Sequence, residues 1–168
     1  MKYAIIYSSK TGNTELLANV IKETMQGECI AFGKANLSIE DAELYFVGSW
    51  VDKGSYDKEI IEFLKTLKNK KIFLFGTAGF QSSKPYYDRI LNNVKQAIDD
   101  SNTIIDEYMC QGKMPIAVKQ KYEAMDLTTA KFDVAGFIDN FNQALTHPDY
   151  KDLSQLETMI NNMKENQE

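Results

Sequence analysis

A chain of 168 residues with 43% hydrophobic and 26% charged side chains has the make-up of one globular domain, spanning 1–168 and long enough to bury a sizeable core. Its net charge of −5 argues against nucleic acid or an anionic membrane as a partner, and no stretch approaches the roughly 20 apolar residues of a membrane span. The two cysteines, Cys29 and Cys110, stand far apart with no metal-ligand spacing around them, which suits free thiols in a reducing cytoplasm.

The first element, residues 2–7, is a short β-branched and aromatic run, a strand with both faces buried and too short for a signal peptide. From Glu15 onward, apolar side chains recur at Leu17, Val20 and Ile21 with Thr24, the spacing of a helix. Between them lie Ser8, Ser9, Lys10, Thr11, Gly12, Asn13 and Thr14. A strand running into such a loop and then a helix aims several backbone N–H groups, and the positive end of the helix dipole, at one spot. Ser and Thr are also the favoured N-cap residues, so capping alone would explain one or two of them. Four hydroxyls, an asparagine and a glycine in seven positions exceed that need and point to a bound phosphate. The spacing is neither Gly-x-x-x-x-Gly-Lys-Ser/Thr nor Gly-x-Gly-x-x-Gly, because Gly12 is the only glycine in the region.

Further strands are expected at 28–32, ended by Gly33, at 43–47, at 71–75 and at 103–110. Helices are expected at about 56–68, with Ile60, Ile61, Leu64 and Leu67 on one face, and from Ser83 or Lys84 with Pro85 in the first turn. Ile90, Leu91, Val94, Ala97 and Ile98 form the second helix's buried stripe. Alternating strands and helices of this length imply a parallel sheet covered on both faces, a doubly wound α/β fold. After Cys110 the pattern changes to a turn and three helical segments, about 115–125, 129–145 and 149–166. One helix suffices to close a five-stranded sheet, and the last two compete for that role. The rest of the region, about 111–168, is an elaboration whose default is packing. His147, the only histidine, precedes Pro148 without a partner pattern and receives no chemical role.

Ligands of open parallel sheets bind outside the carboxyl ends of the strands. Three loops occupy such ends: 8–14, 48–55 and 76–82. The second holds the only tryptophan, Trp50, and the third pairs glycines with Phe80. Taken alone, Trp50 reads equally well as a core or a ligand-binding side chain.

Ser9-Lys-Thr-Gly-Asn-Thr14, placed straight after the first strand and followed by Glu15, resembles the phosphate loop of flavodoxins, Ser/Thr-x-Thr-Gly-x-Thr. Trp50-Val-Asp-Lys-Gly54, Phe75-Gly-Thr-Ala-Gly79, Cys110-Gln-Gly-Lys-Met114 and Thr146-His-Pro-Asp149 are similar to a short-chain bacterial branch of that family. The resemblance covers Lys2 to about Cys110. It implies a five-stranded sheet in the order 2-1-3-4-5 and the cofactor FMN. The phosphate would lie on the first loop, held by neutral donors of Ser9, Thr11, Asn13 and Thr14 with Lys10 pointing outward. Ser49, Trp50, Val51, Asp52, Lys53 and Gly54 would contact the flavin, with Trp50 stacked on the isoalloxazine. Thr77, Ala78, Gly79 and Phe80 would supply backbone contacts and a second aromatic. The mild acidity, Lys10 inside the loop and the long helical tail depart from the better-known carriers.

The function so implied is electron shuttling to a partner redox protein by a monomer or weak dimer, without a metal or catalytic side chain. The rival is an FMN-dependent NAD(P)H:quinone or small-acceptor oxidoreductase, which needs open space over the flavin. A signalling receiver on a similar fold is set aside. It requires an acidic cluster after strand one and an Asp ending strand three, where this chain has Ser8-Ser9 and Gly48.

Overall fold

A computed structural model describes residues 1–35 and 41–165. In chain order the elements are β1 (Lys2–Ser8), α1 (Asn13–Thr24), β2 (Glu28–Gly33), β3 (Leu44–Asp52), β4 (Ser55–Tyr56) and α2 (Lys58–Thr66). Then come β5 (Lys71–Ala78), α3 (Lys84–Lys95), β6 (Thr103–Gln111), α4 (Ile116–Glu123), α5 (Val134–Ala144) and α6 (Tyr150–Glu165). Five parallel strands lie in the order β2-β1-β3-β5-β6, with β4 folding back antiparallel on the end of β3. Apart from that two-residue addition, this is the expected doubly wound sheet in the expected order.

The period of two along β1 builds both layers. Tyr3 and Ile5 join Leu17, Ile21, Phe46, Phe73 and Phe75 beneath α1 and α6. Ala4 and Ile6 join Val47, Ile60, Leu64, Leu74, Ile90 and Val94 beneath α2 and α3. Cys110 is buried in the first of these layers, where burial pushes its thiol up; Cys29 is half-buried, and both are free.

β3 and β5 run on through residues assigned to loops by sequence. Gly48 pairs with Phe75, Ser49 with Gly76 and Trp50 with Thr77, so the parallel ladder reaches the first residues of the candidate site. The glycine at 48 reads as a strand breaker, but a side chain there would run into the Phe75 ring. It marks close approach rather than a turn.

The C-terminal competition resolves in favour of α6. Its stripe is thin, yet Leu156 and Ile160 are fully buried in the layer shared with α1. The more apolar α5 packs with α4 instead. It buries Val134, Phe141 and Ala144 and stacks Phe137 on Tyr122 at 5.1 Å, while Leu145 stays half exposed. α5 also begins at Val134 rather than near 129. The Asp126 carboxylate accepts from the backbone N–H and hydroxyl of Thr128, and Asp133 accepts from the Gly136 N–H as N-cap. The expected last residue of α6, Asn166, lies outside the described residues. His147 closes the start of α6, with Nδ1 2.6 Å from Asp152 Oδ2. Among the described residues no helix is long and apolar enough to cross a membrane.

Candidate functional site

Gly12 caps α1 at φ 88°, a left-handed conformation that glycine adopts without penalty, and it offers no side-chain cap. Among the described residues the N–H groups of residues 11–14 therefore find no protein acceptor, whereas the next one, from Glu15, donates to Ser9 Oγ at 3.2 Å. The first turn of a helix of 12 residues is left with open donors facing the end of the sheet.

The hydroxyls around it are less alike than their spacing suggests. Thr14 is fully buried, its Oγ1 3.0 Å from Thr77 Oγ1, which ties the phosphate-type loop to the end of β5. Thr11 Oγ1 accepts from Asn13 Nδ2 at 3.0 Å. The same Nδ2 donates to the Lys113 carbonyl at 2.8 Å, fastening the segment after β6 to the loop. Ser8 Oγ donates to Asp57 Oδ2 at 2.5 Å and accepts from Trp50 Nε1 at 3.3 Å.

Trp50 is thus neither a core residue nor a free one. It is half-buried, its edge is fixed through Ser8 to Asp57, and its face carries the Lys10 ammonium 4.8 Å from the ring centroid. Lys10 therefore folds over the tryptophan instead of pointing outward, because an exposed ammonium gains from the ring quadrupole. Ser49 donates to the Trp50 carbonyl at 2.6 Å and accepts from the Asp57 N–H at 2.9 Å, bracing the end of β3. Beyond it, Asp52 pairs with Ser55 across a two-residue hairpin in which Lys53 (φ 49°) and Gly54 (φ 78°) both take positive φ. Asn93 Nδ2 of α3 holds the Gly54 carbonyl at 2.8 Å.

Lys10, Thr11, Asn13, Trp50, Val51, Thr77, Ala78, Gly79 and Phe80 converge on one cavity of about 210 Å³. Ser8, Ser9, Gly12, Thr14, Ser49, Asp52, Lys53 and Gly54 stand behind or beside it. The cavity has a fourth wall absent from the expected set: Gly112, Lys113 and Met114 after β6, with Pro115 and Val118. The glycine following the last strand was its sequence signal. Asn140 of α5 and Gln111 support the third loop. Asn140 Nδ2 donates to the Gly79 carbonyl at 2.7 Å while its Oδ1 accepts from Gln111 Nε2 at 3.1 Å. Polar residues inside a helix or at a strand end carry no sequence signal of such a role. Phe80, 41% exposed, leans edge-on against Phe137 at 6.0 Å.

Among the described residues two buried acceptors, Asn13 Oδ1 in the cavity lining and Gln111 Oε1 outside it, have no partner. A Cβ at Gly112 would run into Asn13 Nδ2 at 2.6 Å, so glycine there lets the Asn13 side chain pack against the segment after β6. Open N–H donors, the orphaned Asn13 oxygen and an aromatic with a fixed edge fit a ligand that has both a phosphate and a polar planar ring.

This fold, with an N–H-lined loop at its switch point, defines the class of flavodoxin-like α/β proteins. Residues 4–161 match the flavodoxin domain family, and the chain belongs to it. It is 38% identical over 173 residues, 92% of this chain and 91% of the relative, to the flavodoxin-like domain-containing protein BilS of Clostridium symbiosum (strain WAL-14163). Among solved structures it resembles the rubredoxin oxygen:oxidoreductase of Desulfovibrio gigas, with TM-score 0.53 and 18% identity over 95% of this chain; it spans 34% of that enzyme's chain. It also resembles a flavoprotein of Lactobacillus acidophilus NCFM in complex with FMN, with TM-score 0.50 and 14% identity, covering 65% of this chain and 93% of that one.

Proposed function

We propose that the chain is an FMN-binding electron-transfer protein that passes electrons to a partner redox protein. The observation that carries this reading is the pairing of an open helix N-terminus with Trp50, whose indole edge is anchored while one face lines the cavity. The N–H groups of residues 11–14 and the Thr11 hydroxyl would hold the phosphate. Trp50 would bear on the isoalloxazine, and the backbone of Thr77, Ala78 and Gly79 would meet its polar edge. When bound, the flavin supplies the redox chemistry, and the protein's contribution is to hold, orient and electrostatically tune it. Gly54, already at positive φ, is the peptide best suited to turn when flavin N5 takes up a proton, with Asn93 as the group that holds or releases its carbonyl. One domain, a monomer or weak dimer, and a cytoplasmic setting with reduced thiols accompany this reading.

Purified protein should show the two visible absorbance bands of flavin, or acquire them on titration with FMN at one equivalent per chain. A protein that neither carries nor takes up FMN overturns the reading. Crystals of the oxidised and reduced forms with the same orientation at Gly54 remove the peptide step. A second reading, an oxidoreductase reducing a quinone or similar small acceptor with NAD(P)H, keeps its place because Phe80 packs edge-on against Phe137 rather than on Trp50. NAD(P)H oxidation with and without a quinone separates the two.

A further inference from the structure

We propose, resting on the FMN reading above, that Lys10 and Lys113 make the site prefer the anionic, two-electron-reduced flavin over the oxidised one. The chain has 24 acidic and 19 basic residues, yet the cavity lining contains these two lysines and no carboxylate among the described residues. Neither lysine is held in an ion pair among the described residues. Of the nearby carboxylates, Asp57 is turned to the Ser8 hydroxyl behind the Trp50 edge and Glu15 to the Tyr7 hydroxyl, while Asp52, in the hairpin beyond Trp50, is outside the lining. The site is therefore a local positive spot in an acidic protein.

Lys10 is the more informative of the pair. Its ammonium rests on the Trp50 face, the surface a stacking ring would use, so a planar ligand entering there must displace it. A cation held only by a ring quadrupole at an exposed site is weakly held. Its tether keeps the displaced charge within the same cavity, where the ligand is the available partner. Oxidised isoalloxazine is neutral. Two electrons and one proton, taken up at N5, leave N1 bare and the ring system anionic. The phosphate carries the same charge in both forms. A lysine acting on the ring thus separates the two forms, whereas one acting on the phosphate strengthens both alike.

The test compares binding of oxidised FMN with that of dithionite-reduced FMN, anaerobically and at mildly alkaline pH. It uses wild type, Lys10→Met, Lys113→Met, the double variant and Lys10→Arg. Methionine keeps most of the stem and removes the charge; arginine keeps the charge. Wild type should bind the reduced form at least tenfold more tightly, which raises the bound two-electron potential by about 30 mV over free FMN. Lys10→Met should bring the ratio of reduced to oxidised affinity most of the way down to one, the double variant should show no preference, and Lys10→Arg should retain it. Equal weakening of both forms places the lysines on the phosphate and overturns the proposal, as does a wild-type protein with no preference. Failure of wild type to bind either form removes the FMN reading and this proposal with it.

Discussion

Three residues apart in the sequence, Thr11 and Thr14 do different work in the folded chain. Thr11 lines the cavity, whereas the Thr14 hydroxyl is sealed against Thr77. Thr14→Val should therefore leave a buried hydroxyl unpaired and lower folding stability by about 1–3 kcal/mol. Thr11→Val should leave stability nearly unchanged and weaken FMN binding at least fivefold. Denaturant melts and flavin titrations of the two single variants check this; equal effects on affinity with no effect of Thr14→Val on stability would reverse the assignment. Trp50 admits a sharper test, since it is the only tryptophan. FMN should extinguish most of its emission at one flavin per chain, and riboflavin should bind more weakly yet quench at saturation. Trp50→Leu should weaken binding by about 0.5–1.5 kcal/mol beyond lost burial, with little change in apoprotein melting because the ring is only half-buried. A badly destabilised apoprotein with normal FMN affinity would make Trp50 a structural residue. The loop's composition made a phosphate site legible, but the division of labour inside it depends on Thr77, Asp57 and Lys113, which no local pattern brings near.

At the scale of elements, strand and helix identities followed from period and turn chemistry, and the errors fell at ends. Gly48 and Gly76 look like stops, yet both lie inside ladders because neighbouring side chains and backbone fill the space a Cβ would take. Cross-strand crowding of that kind has no trace in one strand's own sequence. The helical tail was legible as helix but not as support for the site. α5 reaches back through Asn140, which bridges Gln111 and the Gly79 carbonyl. Asn140→Ala removes a donor and an acceptor at once and should cost about 2 kcal/mol of stability, given roughly 1–3 kcal/mol for an unsatisfied buried partner. Adding Gln111→Leu removes the stranded amide and should recover part of that loss in a double-mutant cycle. Strict additivity of the two variants, measured by urea unfolding, would show that the bridge is not energetically coupled.

Across the whole molecule, alternating buried strands and helices made a doubly wound parallel sheet legible, while its strand order came only with the resemblance to flavodoxins and the closing helix was not legible at all. Apolar content favoured α5, whereas the layer over β1 and β5 is completed by α6, with Leu156 and Ile160 at 0% exposure. A helix seals a sheet by where its stripe lands, and hydrophobicity alone does not say where. The reading makes a paired prediction. Leu156→Ala opens a cavity in a layer already filled by Tyr3, Ile5, Phe46 and Phe73, and should destabilise the fold by about 2–5 kcal/mol. Leu145→Ser, at the half-exposed end of the more apolar α5, should change stability by no more than about 0.5 kcal/mol. Both proteins, kept well below their melting temperatures, should bind FMN with near-normal affinity, since neither side chain lines the cavity. The measurement is the urea midpoint of each variant together with its FMN affinity. A large loss at Leu145 with a small one at Leu156 would mean that α5, not α6, closes the sheet.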